Sequence, residues 1–234
     1  MPDQSHERGA QVRAIVDSLG YDLDPSILIG GWATHLRVGG DISHDVDLII
    51  ADQGLRPTLR DRLDGYQENH RLSNSTKAAG SIDGVHVDAY FPYEPRLGNR
   101  LLLDVAELTK HTEPVRSANW LMLTLDAHIA TKFAALLDRP DTEKGYKDAR
   151  ELVRLIDSGG TGDGVAAVMI AATAGEKSDI PDAIRDAFDL IPDRAGLNRN
   201  EKKHYRTLGR EWVETAKLIL AAETRPAGPG PQFR

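Results

Sequence analysis

Ile27-Leu-Ile-Gly-Gly-Trp-Ala-Thr-His-Leu-Arg-Val-Gly-Gly-Asp-Ile-Ser-His-Asp-Val-Asp-Leu-Ile-Ile50 sets a Gly-Gly step after one apolar run and an Asp-Val-Asp triplet at the start of another. The run Ser26–Ile29, between Pro25 and Gly30-Gly31, is long enough only for a buried strand, and Trp32–Val38 carries apolar residues at helical spacing. Strand, glycine turn and helix therefore follow in that order. Glycines permit close backbone approach, and the first amides of a helix have no internal partner, so this turn can cradle a phosphate. Gly39-Gly40-Asp41 then loops the chain into a second strand, Asp45–Ala51, whose Val-x-Leu-Ile-Ile content signals burial. Side chains alternate across a strand, which puts Asp45 and Asp47 on one face and Val46 and Leu48 on the other. Two carboxylates that close repel unless a cation lies between them, and hard oxygen ligands suit Mg²⁺. Taken alone, such a triplet is more often a strand end with two solvated acids.

On the N-terminal side, Val12, Ile15, Val16 and Leu19 recur at helical spacing and predict an amphipathic helix over 6–20 that ends at Gly20. On the C-terminal side, Pro57 suits the first turn of a helix over 57–63, with Leu59 and Leu63 inward. Asp83-Gly84 between strand-like residues is a hairpin signal inside Ser81–Phe91. On its outgoing strand Val85, Val87 and Ala89 share one face, and His86, Asp88 and Tyr90 the other. Asp88 is thus an acid in an apolar strand, where it needs either a cation or a buried salt bridge to an arginine.

Beyond the hairpin, Leu101–Thr109 reads as a strand end running into a short helix, and Pro114–Met122 as extended. Thr124 is a natural N-cap for a helix over Leu125–Leu137, with Ile129, Phe133, Leu136 and Leu137 inward and Lys132 mid-helix. A second helix over Thr142–Ile156 carries Lys144, Lys147, Asp148 and Arg150 ahead of its apolar half. Gly159–Gly164 reads as a linker or turn, since no Lys-Ser/Thr follows as a P-loop requires. Further helices are expected over 165–173, 181–191 and 198–222, the last of them locally basic at Lys202, Lys203, His204, Arg206 and Arg210. The Pro- and Gly-rich segment 224–234 reads as a disordered tail. These divisions predict an α/β core over residues 1–122, a helical portion over 123–223, and the tail.

Of the 234 residues, 40% are hydrophobic and 28% charged, which is ordinary for a water-soluble domain of this size. No run has the length of a membrane span, and the first residues lack the apolar core of a signal peptide, so a cytoplasmic location is expected. The absence of cysteine excludes thiolate metal sites and a cysteine nucleophile, leaving oxygen or imidazole to hold any metal. A net charge of −7 means that a nucleic-acid partner would need a local basic patch.

Ile29-Gly30-Gly31, Asp45-Val46-Asp47 and Asp88 together resemble the pattern of the nucleotidyltransferase superfamily related to DNA polymerase β. Downstream, Thr124–Arg139 with its Lys132, followed by Lys147-Asp148, looks like the Lys and Lys-Asp motifs of the AbiEii/MenT-type nucleotidyltransferase toxins. The two resemblances span roughly residues 25–157. They imply an α+β fold, a polymerase β-like mixed sheet with flanking helices and a helical C-terminal portion. They also imply transfer of a nucleoside monophosphate from an NTP to an RNA acceptor, the tRNA 3′ end being the expected one, in a toxin neutralised by a cognate antitoxin.

In that reading Asp45, Asp47 and Asp88 are catalytic and hold two Mg²⁺ ions. Gly30, Gly31 and Lys132 bind the nucleotide phosphates, and Asp148 orients Lys132 or the nucleotide. Gly31 stands where many members have serine, which removes one hydroxyl contact to phosphate, and the bulky Trp32 follows it. Two other functions share the same acids. One is transfer to a different acceptor, a cationic aminoglycoside or a protein; the other is nucleotide binding without turnover.

Overall fold

The computed structural model describes residues 4–69, 77–92, 96–115 and 119–223. The expected tail, 224–234, lies outside the described residues. Helix α1 (Gln4–Asp22) leads to β1 (Ile27–Ile29), α2 (Gly30–Val38), β2 (Asp45–Ile49) and α3 (Arg56–Arg62). Strands β3 (Asp64–Asn69), β4 (Lys77–Ile82) and β5 (Val85–Tyr90) come next, β4 and β5 being joined by the Asp83-Gly84 turn. Both turn residues have positive φ, 48° and 76°, as the tight hairpin requires.

A small hairpin, β6 (Arg96–Leu97) with β7 (Leu103–Asp104), and the one-turn helix α4 (Val105–Leu108) precede β8 (Thr112–Pro114) and β9 (Leu121–Leu123). The rest is helical: α5 (Leu125–Asp138), α6 (Glu143–Asp157), α7 (Gly162–Ala172), α8 (Ile180–Arg194) and α9 (Arg199–Glu223). The mixed sheet, the flanking helices and the helical C-terminal portion agree with the α+β architecture expected.

Seven strands form one sheet in the order β3-β4-β5-β2-β1-β9-β8. β2 is central. It runs antiparallel to β1 and parallel to β5, with Asp47 opposite Ile29 on one side and Asp88 on the other. Alternation along the strands divides the interior into two cores, one on each face. Val46, Leu48, Val85, Val87 and Ala89 pack with Val12, Val16 and Leu19 of α1 and with Trp32. Ile27, Ile29 and Ile49, on the opposite face, join Phe133, Leu136, Leu152, Ile170 and Phe188 of the C-terminal helices. The face that carries Asp45, Asp47 and Asp88 is therefore the face covered by the helical portion.

Two local readings change. Helix α2 begins at Gly30 itself, so the glycine pair is the helix's first turn rather than a loop before it. The run Gly159–Gly164 is not all linker, because Gly162–Gly164 opens α7. Thr161 supplies the missing start signal: its hydroxyl accepts from the Gly164 amide at 3.3 Å, while its own amide donates to Asp126 of α5 at 3.2 Å. A β-carbon on Gly162 would lie 2.7 Å from the Trp212 ring, so glycine here permits α7 to lie against α9.

Candidate active site

The site grows from the register of β2 and β5. Because Asp47 and Asp88 are direct partners in a parallel pair, their side chains leave the sheet together, and Asp45 follows two residues away on the same face. Burial raises the Asp47 carboxyl to about 6, and the negative charges of Asp45 and Asp88 push it the same way, against the ammonium groups of Lys132 and Lys77. Burial also works to raise Asp45. There the hydrogen bond from Ser43 and the charges of Lys144 and Lys147 prevail and hold it at about 2.

Each outer acid already carries a cation. Lys77 Nζ lies 2.5 Å from Asp88 Oδ2, and His86 Nε2 lies 3.0 Å from Asp88 Oδ1. Lys144 Nζ donates to Asp45 Oδ2 at 2.9 Å, and Ser43 Oγ donates to Asp45 Oδ1 at 2.5 Å. The salt bridge that Asp88 needed is thus made by a lysine of the neighbouring strand rather than by an arginine. Among the described residues, no three acid or histidine side chains close into a ready ligand group.

The carboxylates nonetheless fit a hard divalent cation in kind. They are all oxygen donors, they hold surplus negative charge around Asp47, and the two lysines on them are long and flexible.

Gly30 is positioned by the same crowding. Its φ is +69°, and a β-carbon there would stand 2.2 Å from Asp47 Oδ2. The α2 N-terminus thus meets Asp47 edge on, with no side chain capping its first amides. Underneath, Thr34 Oγ1 donates to the Gly30 carbonyl at 3.1 Å and lies 3.0 Å from Nε2 of the buried His128. Burial, with Lys132 and Arg37 nearby, holds His128 well below its ordinary pKa, so it is neutral.

At Gly31 a β-carbon would meet Ser43 Oγ at 2.6 Å and Lys147 Nζ at 3.1 Å. The hydroxyl that a serine at 31 would bring is replaced in space by that of Ser43. Trp32 points away, into the core on the α1 side of the sheet.

Lys132 is not solvated as a mid-helix lysine usually is; it is 5% exposed. Its ammonium donates to Asp148 Oδ1 at 3.0 Å and to Glu151 Oε2, both on α6. Burial opposes its charge, but Asp148 and Glu151 outweigh that and raise its pKa, so it stays protonated. Arg139 completes the group, its Nε donating to Asp148 Oδ2 at 2.8 Å. Lys147 spans Glu151 Oε1 at 3.7 Å and Ser43 Oγ at 3.3 Å.

Asp45, Asp47, Asp88, Lys132, Asp148, Gly30 and Gly31 therefore all line one cleft of about 800 Å³, together with Lys77, Arg139, Lys144, Lys147 and Arg150. Sequence reasoning missed Glu151, Ser43 and Lys77. Glu151 lies four residues after Lys147 and three after Asp148, a spacing that puts all three on one face of α6 and could have marked it. Lys77 had no local signal.

No protein-family model and no curated protein sequence matches the chain. Among solved structures it is similar to the antibiotic-resistance factor ANT(2″)-Ia in complex with adenylyl-2″-tobramycin, at 18% identity and a TM-score of 0.49, over 69% of this chain and 96% of that one. It is also similar to an antigenic nucleotidyltransferase-like protein from Paracoccidioides brasiliensis, at 18% identity and a TM-score of 0.41, over 66% of this chain and 77% of that one.

Proposed function

We propose that the protein is a nucleotidyltransferase that moves a nucleoside monophosphate from an NTP to an RNA acceptor, with the tRNA 3′ end as the expected target and a toxin's role in a toxin–antitoxin pair. The observation that carries the reading is Asp47 directly opposite Asp88 on neighbouring strands, two residues from Asp45, beside the uncapped start of α2. A polyphosphate with its cation needs such a set: carboxylates for the cation, and amides and ammonium groups for the phosphate oxygens.

Asp45, Asp47 and Asp88 would hold Mg²⁺, which when bound supplies charge neutralisation for attacking and leaving oxygens. The remaining steps belong to the chain's own groups. The first amides of α2 receive a β- or γ-phosphate oxygen. Lys144 and Lys147, at the mouth of the cleft, neutralise the departing pyrophosphate. The acceptor hydroxyl oxygen bonds to the α-phosphorus, the bond to the bridging oxygen breaks, and the hydroxyl proton is released. Lys132, held by Asp148 and Glu151 and close enough to Asp47 to oppose its protonation, keeps that carboxylate charged and in place.

Incubating the protein with each of the four labelled NTPs and either total tRNA or an aminoglycoside, with Asp45→Ala as control, tests the reading. Label on RNA with the wild type alone is the expected result. Label on an aminoglycoside or on protein would redirect the assignment to that acceptor. Transfer undiminished in Asp45→Ala would remove the mechanism.

A further inference from the structure

A second charged surface lies on α9, built from residues that the cleft does not use. Arg199, Asn200, Lys203, Arg206 and Arg210 border a trough of about 480 Å³ with no carboxylate in its lining. Their spacing of three to four residues puts them on one face, along about 16 Å of helix. An adjoining face of the helix is fixed in the core through Tyr205, Gly209, Trp212, Val213 and Ala216, so the basic face stands on a rigid support.

The acids nearby are already engaged. Glu201 accepts from the Asn198 amide at 2.7 Å while Asn198 Oδ1 accepts from the amides of Asn200 and Glu201, a reciprocal cap at the helix start. Asp193 holds Lys202 at 2.5 Å. Among the described residues Arg210 bonds the Arg206 carbonyl and the Thr207 hydroxyl, and neither neutralises it. Arg199, Lys203, Arg206 and Arg210 make no salt bridge among the described residues, Asp193 acting on Arg206 only from a distance, and in a chain of net charge −7 they form a positive stripe.

We infer that this face of α9 binds the phosphodiester backbone of a nucleic-acid strand, and, resting on the RNA-acceptor reading, that it is the docking surface for the body of the RNA whose end enters the cleft. Charge complementarity selects the occupant. The stripe is long enough to follow several successive phosphates. It also lacks what a protein partner would need, since none of the large exposed hydrophobic residues, Tyr21, Tyr146 and Leu218, lines the trough.

The test is binding of end-labelled tRNA to the full chain, without NTP, across 50–200 mM salt. The wild type is compared with a quadruple variant, Arg199→Gln, Lys203→Gln, Arg206→Gln and Arg210→Gln, and with its charge-reversed Glu counterpart. Loss of four phosphate contacts should weaken binding at least tenfold at the lowest salt, and lower the slope of log K against log salt by about 3. Unchanged thermal melting and unchanged binding of a fluorescent NTP would show that the fold and cleft are intact.

Equal affinity and slope in wild type and variants overturns the inference, as does a wild type that does not bind tRNA. Patch-dependent capture of poly-glutamate as strong as that of tRNA also overturns it, in favour of an acidic protein. The two readings fail separately. Patch-dependent tRNA binding with no label transferred sinks the acceptor reading and leaves the surface. Transfer and binding undiminished in the quadruple variant do the reverse.

Discussion

Asp47 folds at a cost. Its carboxyl titrates at 3.8 in the unfolded chain and at about 6 in the folded one. Below pH 3.8 both states are protonated and nothing is lost. Between the two values the folded state retains a proton that the unfolded state releases, so stability falls as pH rises through that window. Above it the penalty is complete, on the order of 2–3 kcal/mol. Thermal melts in EDTA should show Asp47→Asn more stable than wild type at pH 7–8, with the advantage shrinking toward pH 4, and without transferase activity. Asp45 works in the opposite sense: its stabilisation is present above pH 3.8 and lost as pH falls toward 2.

Gly30 offers a second residue-scale test. Gly30→Ala would incur left-handed strain and also press on the Asp47 carboxylate, whereas Gly39→Ala, at φ +71° with open space around it, incurs the strain alone. Gly39→Ala should cost about 1–2 kcal/mol in chemical denaturation and Gly30→Ala more, and only Gly30→Ala should abolish transfer.

Helices α5 and α6 are tied by a buried charge cluster. Lys132→Met takes the ammonium from Asp148 and Glu151, each no more than 2% exposed, leaving Arg139 on the one and Lys147 on the other, and should destabilise the fold by about 3 kcal/mol. Adding Asp148→Asn and Glu151→Gln should restore much of that loss on urea unfolding but not activity. A purely structural cluster would recover both.

The elements themselves were largely legible, because periodicity and turn chemistry are local. Asp83-Gly84 announced the β4–β5 hairpin, and the alternation of Val85, Val87 and Ala89 against Asp88 placed the acid face. The partners of that face were not legible. Lys144 reaches Asp45 across 99 positions of sequence and Lys147 reaches Ser43 across 104. Nothing in either segment encodes the other, since these contacts arise only when α6 docks. The burial of Lys132, though the residue itself is named from the sequence as a phosphate contact, was not legible for the same reason: its partners Asp148 and Glu151 arrive with α6.

At the scale of the molecule, the sheet is shared between two cores, and neither face can be left bare. Ile27, Ile29 and Ile49 belong to the same cluster as Phe133, Leu136 and Phe188. Residues 1–122 expressed alone should therefore expose that face and aggregate, and the full chain should melt in one calorimetric transition. Two resolved transitions would instead establish independent units.

The ties from Lys144 to Asp45 and from Arg150 to Asp41 also set a timetable for synthesis. A chain emerging from the ribosome presents its acid strand about a hundred residues before the helix that completes the cleft. Until that helix docks, Asp45 lacks Lys144 and the acid face lacks its roof. On the proposed function, a transferase that acts on RNA would be assembled next to abundant RNA in a form unable to act on it. Competence cannot come before α6 is made.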